Sequence, residues 1–233
     1  MTDQDKRQRV DAMDAAEVAE ERPWRVAVLL SGAGRTLENL LRVIDRGELP
    51  IEIVTVVSSV PAVRGLEVAA NAGIPAATVT RKGHPSVHAY SGAIYDAIAP
   101  YSPDLILMAG FLRQVLVFPG WEGRILNIHP ALLPEAAPYA AGKGMFGERV
   151  HAAVIAHGDT VSGATVHVVT DDYDDGPPLL RVEVPVLPDD TPVTLGTRVF
   201  HAECDLYPEA IRRYLAANPG FRRREPDGLG RRS

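Results

Sequence analysis

An α/β fold, a mostly parallel twisted sheet flanked by helices and extended by antiparallel strands, is what this sequence predicts. Three observations predict it. Short, near-continuous apolar runs recur, as strands buried on both faces require. Segments of helical period lie between them, and alternating β and α elements give a parallel sheet with helices on both faces. Late in the chain the runs give way to apolar–polar alternation, the pattern of antiparallel strands with one wet face.

The elements follow in order. Arg25–Leu30 is apolar enough to be a buried strand, and Ser31-Gly32-Ala33-Gly34 breaks it. From Thr36 to about Arg46, Leu37, Leu40, Leu41 and Ile44 recur at helical spacing. Ile51–Val57 is a second strand, and Gly65–Ala72 a helix stopped by Gly73. A short strand around Ala77–Val79 precedes a helix over Val87–Ala99, with Ile94, Ala97 and Ile98 on its apolar side. Asp104–Ala109 and Arg124–His129 are the fourth and fifth strands, and Gly147–Ala156 is a helix. Ala164–Val169 and Leu179–Val184 alternate, and a long helix from Thr191 to about Ala217 closes the fold. No internal repeat is evident.

The two ends differ from this core. Residues 1–24 are read as a charged, flexible extension. Its first 22 positions hold seven acids and four bases, with few large apolar side chains. Residues 25–217 form the folded domain, and 218–233 a basic flexible tail with Arg222, Arg223, Arg224, Arg231 and Arg232. With 233 residues the chain is long enough to bury a full core without covalent staples. The single cysteine, Cys204, excludes an intrachain disulfide and a Cys-built zinc site, and fits a reducing, cytoplasmic setting. No apolar run approaches the roughly 18 residues of a membrane span. A net charge of −6 argues against broad electrostatic binding of nucleic acid.

Two strand ends carry the candidate chemistry. At the first, Ser31–Thr36 joins a strand to a helix through glycines that let a ligand approach the backbone, while free N–H groups at the helix start attract an anion. Arg35 adds bidentate charge suited to phosphate. The same residues also read as a tight turn with Thr36 as helix cap. The third glycine of a dinucleotide fingerprint and a Walker A loop are both missing, and the second strand ends in Val57-Ser58-Ser59 without a ribose-binding acid. The loop therefore suits one phosphate monoester better than NAD or ATP. At the fifth strand end, Asn127 and His129 stand two apart and project together. A donating amide beside an imidazole is what acyl transfer to an amine needs: one stabilises an oxyanion, the other moves a proton. On spacing alone the pair reads more readily as a buried Asn and His that satisfy loop backbone. A carboxylate to orient the imidazole is available among Asp171, Asp172, Asp174 and Asp175, and composition does not choose among them.

Five segments in this order, Ser31-Gly-Ala-Gly34, Ala109-Gly-Phe-Leu-Arg113, Asn127-Ile-His-Pro-Ala-Leu-Leu-Pro134, Gly163-Ala-Thr-Val-His167 and Asp174-Asp-Gly-Pro177, resemble the folate-dependent formyltransferases over about Arg25–Leu215. Within that family the resemblance is to the branch that formylates glycinamide ribonucleotide in purine biosynthesis. It implies 10-formyltetrahydrofolate as co-substrate, no metal, and small-molecule substrates with no nucleic-acid or membrane partner, in a monomer or homodimer. By resemblance Asn127, His129 and Asp174 are catalytic. Asn127 donates to the oxyanion, and Asp174 raises the pKa of His129 and orders a relay water. His167 takes a supporting role. Gly34, Arg35 and Thr36 match the loop that holds the ribonucleotide phosphate, and Glu203 a Glu that contacts the ribonucleotide. Cys204 stands where the family usually has His. Leu112, Arg113, Gln114 and Val115 match the segment whose backbone lines the folate pocket, with Asn127 beside it.

The loop over 135–147 matches a mobile lid, longer here than usual. A basic residue expected near Val87 is out of register, leaving Arg81 or Lys82 to serve. The alternatives are a formyltransferase acting on a sugar nucleotide or methionyl-tRNA, a formyltetrahydrofolate hydrolase, and a non-enzymatic phosphate-binding module. The tRNA enzyme expects a further C-terminal domain, and the hydrolase an N-terminal regulatory one. Failure of Asn127, His129 and Asp174 to converge would favour the module.

Overall fold

In the computed structural model of the chain, residues 22–222 are described. The charged extension through residue 21 and Arg223, Arg224, Arg231 and Arg232 lie outside them. The strands are β1 (Trp24–Leu30), β2 (Ile51–Ser58), β3 (Ala76–Thr78), β4 (Leu105–Met108), β5 (Ile125–His129), β6 (Val161–Val168) and β7 (Pro178–Pro185). The helices are α1 (Arg35–Asp45), α2 (Arg64–Asn71), α3 (Val87–Ile98), α4 (Ala137–Ala140), α5 (Glu148–His157) and α6 (Pro192–Ala217). Every strand and helix expected from the sequence is present, with ends moved by up to three residues. Unexpected in the other direction are α4, a single turn inside the 135–147 loop, and short 3₁₀ turns at Ala99–Tyr101 and Pro219–Phe221, all too short to leave a periodic signal.

The seven strands form one sheet in the order β3-β2-β1-β4-β5-β6-β7. The first five are parallel to one another; β6 pairs antiparallel with β5, and β7 antiparallel with β6. The chain steps outward from β1 to β3, then returns to the other side of β1 as β4. Strand order thus reverses between β1 and β4, and α/β sheets bind ligands beyond the carboxyl ends of the strands at such a point.

The two-residue period of β1 divides the core. Val26, Val28 and Leu30 pack on one face with Leu37 and Leu40 of α1 and Tyr207 and Ile211 of α6. Ala27 and Leu29 pack on the other with Tyr90, Ile94 and Ile98 of α3. Strand β7 alternates as expected, but β6 is buried from Ser162 to His167, because it lies between β5 and β7 with α6 against it. Tyr207 reaches through the core to place its hydroxyl 3.1 Å from the carbonyl oxygens of both Met108 and Leu126, tying α6 to the strands that carry the site. Of the basic tail, residues 218–222 are described. Phe221 there lies beneath the Arg124 guanidinium, and Arg222 lies over Trp24. Among the described residues, no helix is long and apolar enough to cross a membrane.

Candidate active site

Asn127 and His129 occupy the carboxyl end of β5, on the same side of the strand, and the antiparallel register sets His167 of β6 opposite Asn127 and Thr165 opposite His129. Each pairing has a consequence. The Asn127 amide donates to His167 Nε2 at 3.0 Å, while His167 Nδ1 donates to the Val168 carbonyl at 3.1 Å. A carbonyl only accepts, so His167 carries its proton on Nδ1 and offers a lone pair to the amide. Thr165 donates to the Ala131 carbonyl and accepts from the Leu133 N–H, pinning the turn that follows His129.

Of the four loop aspartates, only Asp174 reaches this pair. Its Oδ1 lies 3.5 Å from His129 Nδ1, 3.7 Å from His167 Nε2 and 3.4 Å from the Asn127 amide nitrogen. Its Oδ2 accepts from the Gly142 N–H at 3.0 Å. Asp174 takes a left-handed backbone, with φ of 53°. Two residues on, a Cβ at Gly176 would fall on the Val168 carbonyl oxygen, so only glycine lets the loop turn in there. Asp171 points elsewhere and accepts from the Val117 N–H.

His129 is 4% exposed. Its Nε2 donates to the Ala140 carbonyl of α4 at 2.8 Å, so the lone pair of the neutral ring is on Nδ1, facing Asp174. Burial holds its pKa below the ordinary value, outweighing Asp174 and the Ala140 contact, which both act upward. The sequence reading has Asp174 raising this pKa. Asp174 acts in that direction, but desolvation of the enclosed ring wins. Asp174 itself is held below the usual carboxylate range: burial works to raise it and is overcome by His167 and His129 in their protonated forms and by the Gly142 N–H.

A cavity of about 360 Å³ runs from this cluster across the strand ends. On one side it is lined by Leu112, Arg113, Gln114 and Val115, with Tyr173 at the mouth. Ser31 fixes that segment by accepting from the Leu112 N–H, and Gln114 spans to the Asp171 carbonyl. On the other side stand Arg35, Thr36 and Glu203. The Arg35 guanidinium lies 3.6 Å over the Phe200 ring. Desolvation pushes the Glu203 carboxyl up to about 7 against the pull of Arg35.

Gly34 is not among the lining residues. It is the residue before α1, in a left-handed conformation, and a Cβ there would meet the Gly65 Cα at 2.6 Å. Gly34 therefore lets the loop pack on α2. Thr36 is not the helix cap, since α1 begins at Arg35 without a side-chain cap. Arg81 and Lys82 are not on the lining either; Arg81 is turned onto the His84 carbonyl. The sequence reading passed over His151, a lining residue on α5 that is 5% exposed. The signal was its place next to Val150 on the buried side of an amphipathic helix, where a polar ring is out of pattern.

Comparison with known proteins agrees with this architecture. The family model described as formyl transferase matches residues 24–211. The chain is 35% identical over 195 residues to the chloroplastic phosphoribosylglycinamide formyltransferase of Arabidopsis thaliana, covering 82% of this chain and 65% of that protein. It is 38% identical over 190 residues to the bovine trifunctional purine biosynthetic protein adenosine-3, covering 80% of this chain and 18% of that one. Among solved structures, glycinamide ribonucleotide transformylase 1 from Symbiobacterium toebii superposes with a TM-score of 0.75 at 35% identity, covering 85% of this chain and 91% of the other.

Proposed function

The chain belongs to the formyl transferase family, and we propose that it moves the formyl group of 10-formyltetrahydrofolate onto the primary amine of glycinamide ribonucleotide, yielding formylglycinamide ribonucleotide and tetrahydrofolate. The observation that carries this reading is the convergence of Asn127, His129 and Asp174 at the junction of a cleft whose two sides differ in chemistry. One side offers Arg35, Thr36 and Glu203 to a phosphorylated ribose. The other offers the backbone of Leu112–Val115 and apolar surface to a flat heterocycle. The names borne by the relatives support the same substrates.

In the reaction the amine nitrogen bonds to the formyl carbon, the carbon–N10 bond breaks, and one proton passes from the amine to N10. Asn127 has two amide hydrogens. His167 holds one firmly, and the longer contact to Asp174 leaves the other free to turn to the formyl oxygen as it becomes anionic. The basic lone pair of His129 is Nδ1, on the Asp174 side, so the amine proton is taken up between these two groups and returned to the leaving nitrogen. Asp174 stabilises the imidazolium while it lasts. Gly34 shapes the phosphate loop rather than contacting the ligand through a side chain.

The test is formyl transfer itself. Purified protein is mixed with 10-formyltetrahydrofolate and folate release is followed with and without glycinamide ribonucleotide. Release that needs the amine and disappears in His129→Ala is the expected result. Release without the amine indicates a hydrolase. No release with this acceptor, but release with a sugar-nucleotide amine, moves the activity to another branch of the family.

A further inference from the structure

His151 enters the cavity with nothing to bind. Its Nδ1 is fully enclosed and has no hydrogen-bond partner among the described residues. Buried histidines are ordinarily paired, and an unpaired polar group in an apolar wall is a cost with no structural return. The ring is not there as loose filler, because the long helix α6 makes room for it. At Gly196 a Cβ would stand 2.7 Å from His151 Cδ2 and 3.0 Å from Nε2, so any larger residue would push the ring aside. Burial, with His129 adding to it, holds the pKa down at about 4, so the ring is neutral at physiological pH. A neutral imidazole is a poor phosphate ligand and a good partner for an uncharged oxygen. Its place is between the reaction centre and the α6 wall that carries Phe200 and Glu203.

We propose that His151 is a positioning residue for the acceptor, a ring nitrogen hydrogen-bonding an uncharged oxygen of the ribonucleotide, a ribose hydroxyl or the glycinamide carbonyl. It rests on the reading given above for the acceptor side of the cleft. The contact orients the amine toward the formyl carbon and leaves the folate side untouched.

The experiment reads affinity for each substrate separately. Glycinamide ribonucleotide is titrated calorimetrically into the wild type, His151→Phe, His151→Gln and Gly196→Ala, and both KM values are measured under turnover. His151→Phe keeps the ring volume and loses the hydrogen bond, and should weaken acceptor binding about tenfold with the folate KM unchanged. Gln, whose amide reaches as far as Nε2, should restore part of it. Gly196→Ala favours the helix and displaces the ring, and should reproduce the Phe effect without touching His151. It also keeps the test alive if the Phe variant fails to fold. Acceptors lacking the ribose 2′- or 3′-hydroxyl separate the candidate oxygens. If the missing hydroxyl is the partner, the wild type binds that analogue no better than His151→Phe does. If the carbonyl is, the tenfold gap persists with both. Unchanged acceptor affinity in both His151→Phe and Gly196→Ala, or equal loss for both substrates, overturns the proposal. Wild type that binds the ribonucleotide without transferring formyl refutes the proposed reaction and leaves this contact standing; wild type that does not bind it refutes both.

Discussion

Acidification from pH 7 to 5 should cost this protein about 2 kcal/mol of stability through His151 alone. In the unfolded chain the imidazole titrates near its ordinary 6.5, and in the folded chain burial lowers that to about 4. The unfolded state therefore takes up a proton that the folded state refuses. The associated stability is whole above pH 6.5, drains as the pH falls, and levels off below about 4. Each pH unit of that interval is worth 1.36 kcal/mol, so the full loss is about 3 kcal/mol, of which about 2 falls between pH 7 and 5. Against a typical total of about 5–15 kcal/mol this is a large fraction. His129 is also held below its ordinary pKa and acts in the same direction, but its share stays in a His151 variant. Urea unfolding of the wild type and His151→Phe at pH 7, 6 and 5 isolates the His151 part. Relative to wild type, the variant should gain about 2 kcal/mol over that range. Parallel stability–pH curves, agreeing within about 0.5 kcal/mol, would refute the reasoning.

Four further outcomes follow from the site. Asn127→Ala should lower turnover by about 100-fold or more, as loss of an oxyanion donor does; steady-state kinetics at saturating substrates reads it, and an undiminished rate removes Asn127 from the chemistry. Asp174→Asn takes away the strongest of the groups that raise the His129 pKa, so the acid limb of the kcat/KM profile should move to lower pH and the rate fall by about 10²–10⁴; an unmoved limb points to another carboxylate. Gly176→Ala drives a Cβ onto the Val168 carbonyl and displaces the Asp174 loop, so activity should collapse while far-ultraviolet circular dichroism keeps the α/β spectrum. With Glu203 titrating near 7, the acceptor KM should change between pH 6 and 8, and Glu203→Gln should flatten that change.

The sheet was legible because its strands are written as apolar runs, and buried parallel strands leave little else for a run to be. The edge strand β7 was legible for the opposite reason, its alternation matching one wet face. β6 misled, since an inner antiparallel strand is covered on both sides and loses the polar half of its pattern. The one-turn helix α4 left no trace, and its effect on the site is direct. Its Ala140 carbonyl accepts the hydrogen bond of His129 Nε2–H, which decides which ring nitrogen is basic. Local spacing cannot reveal such a contact, because it joins a loop to a strand through backbone.

The cluster of Asn127, His129 and Asp174 was legible in part, and the division follows the physics. Asn127 and His129 share a strand, so their period of two already puts them side by side. Asp174 depends on three things that sequence spacing does not encode: the left-handed turn at Asp174, the glycine forced at 176, and the β5–β6 register that brings His167 up to Asn127. Resemblance to a family chose Asp174 from its neighbours, and the geometry puts its Oδ1 3.5 Å from His129 Nδ1 while Asp171 accepts from the Val117 N–H. His151 was illegible for a different cause. Its partner in the fold is an absence, the missing side chain of Gly196 some 45 residues away, and a missing atom leaves no periodicity to read. Such pairs of a polar ring and the glycine that admits it are visible only once the helices are packed.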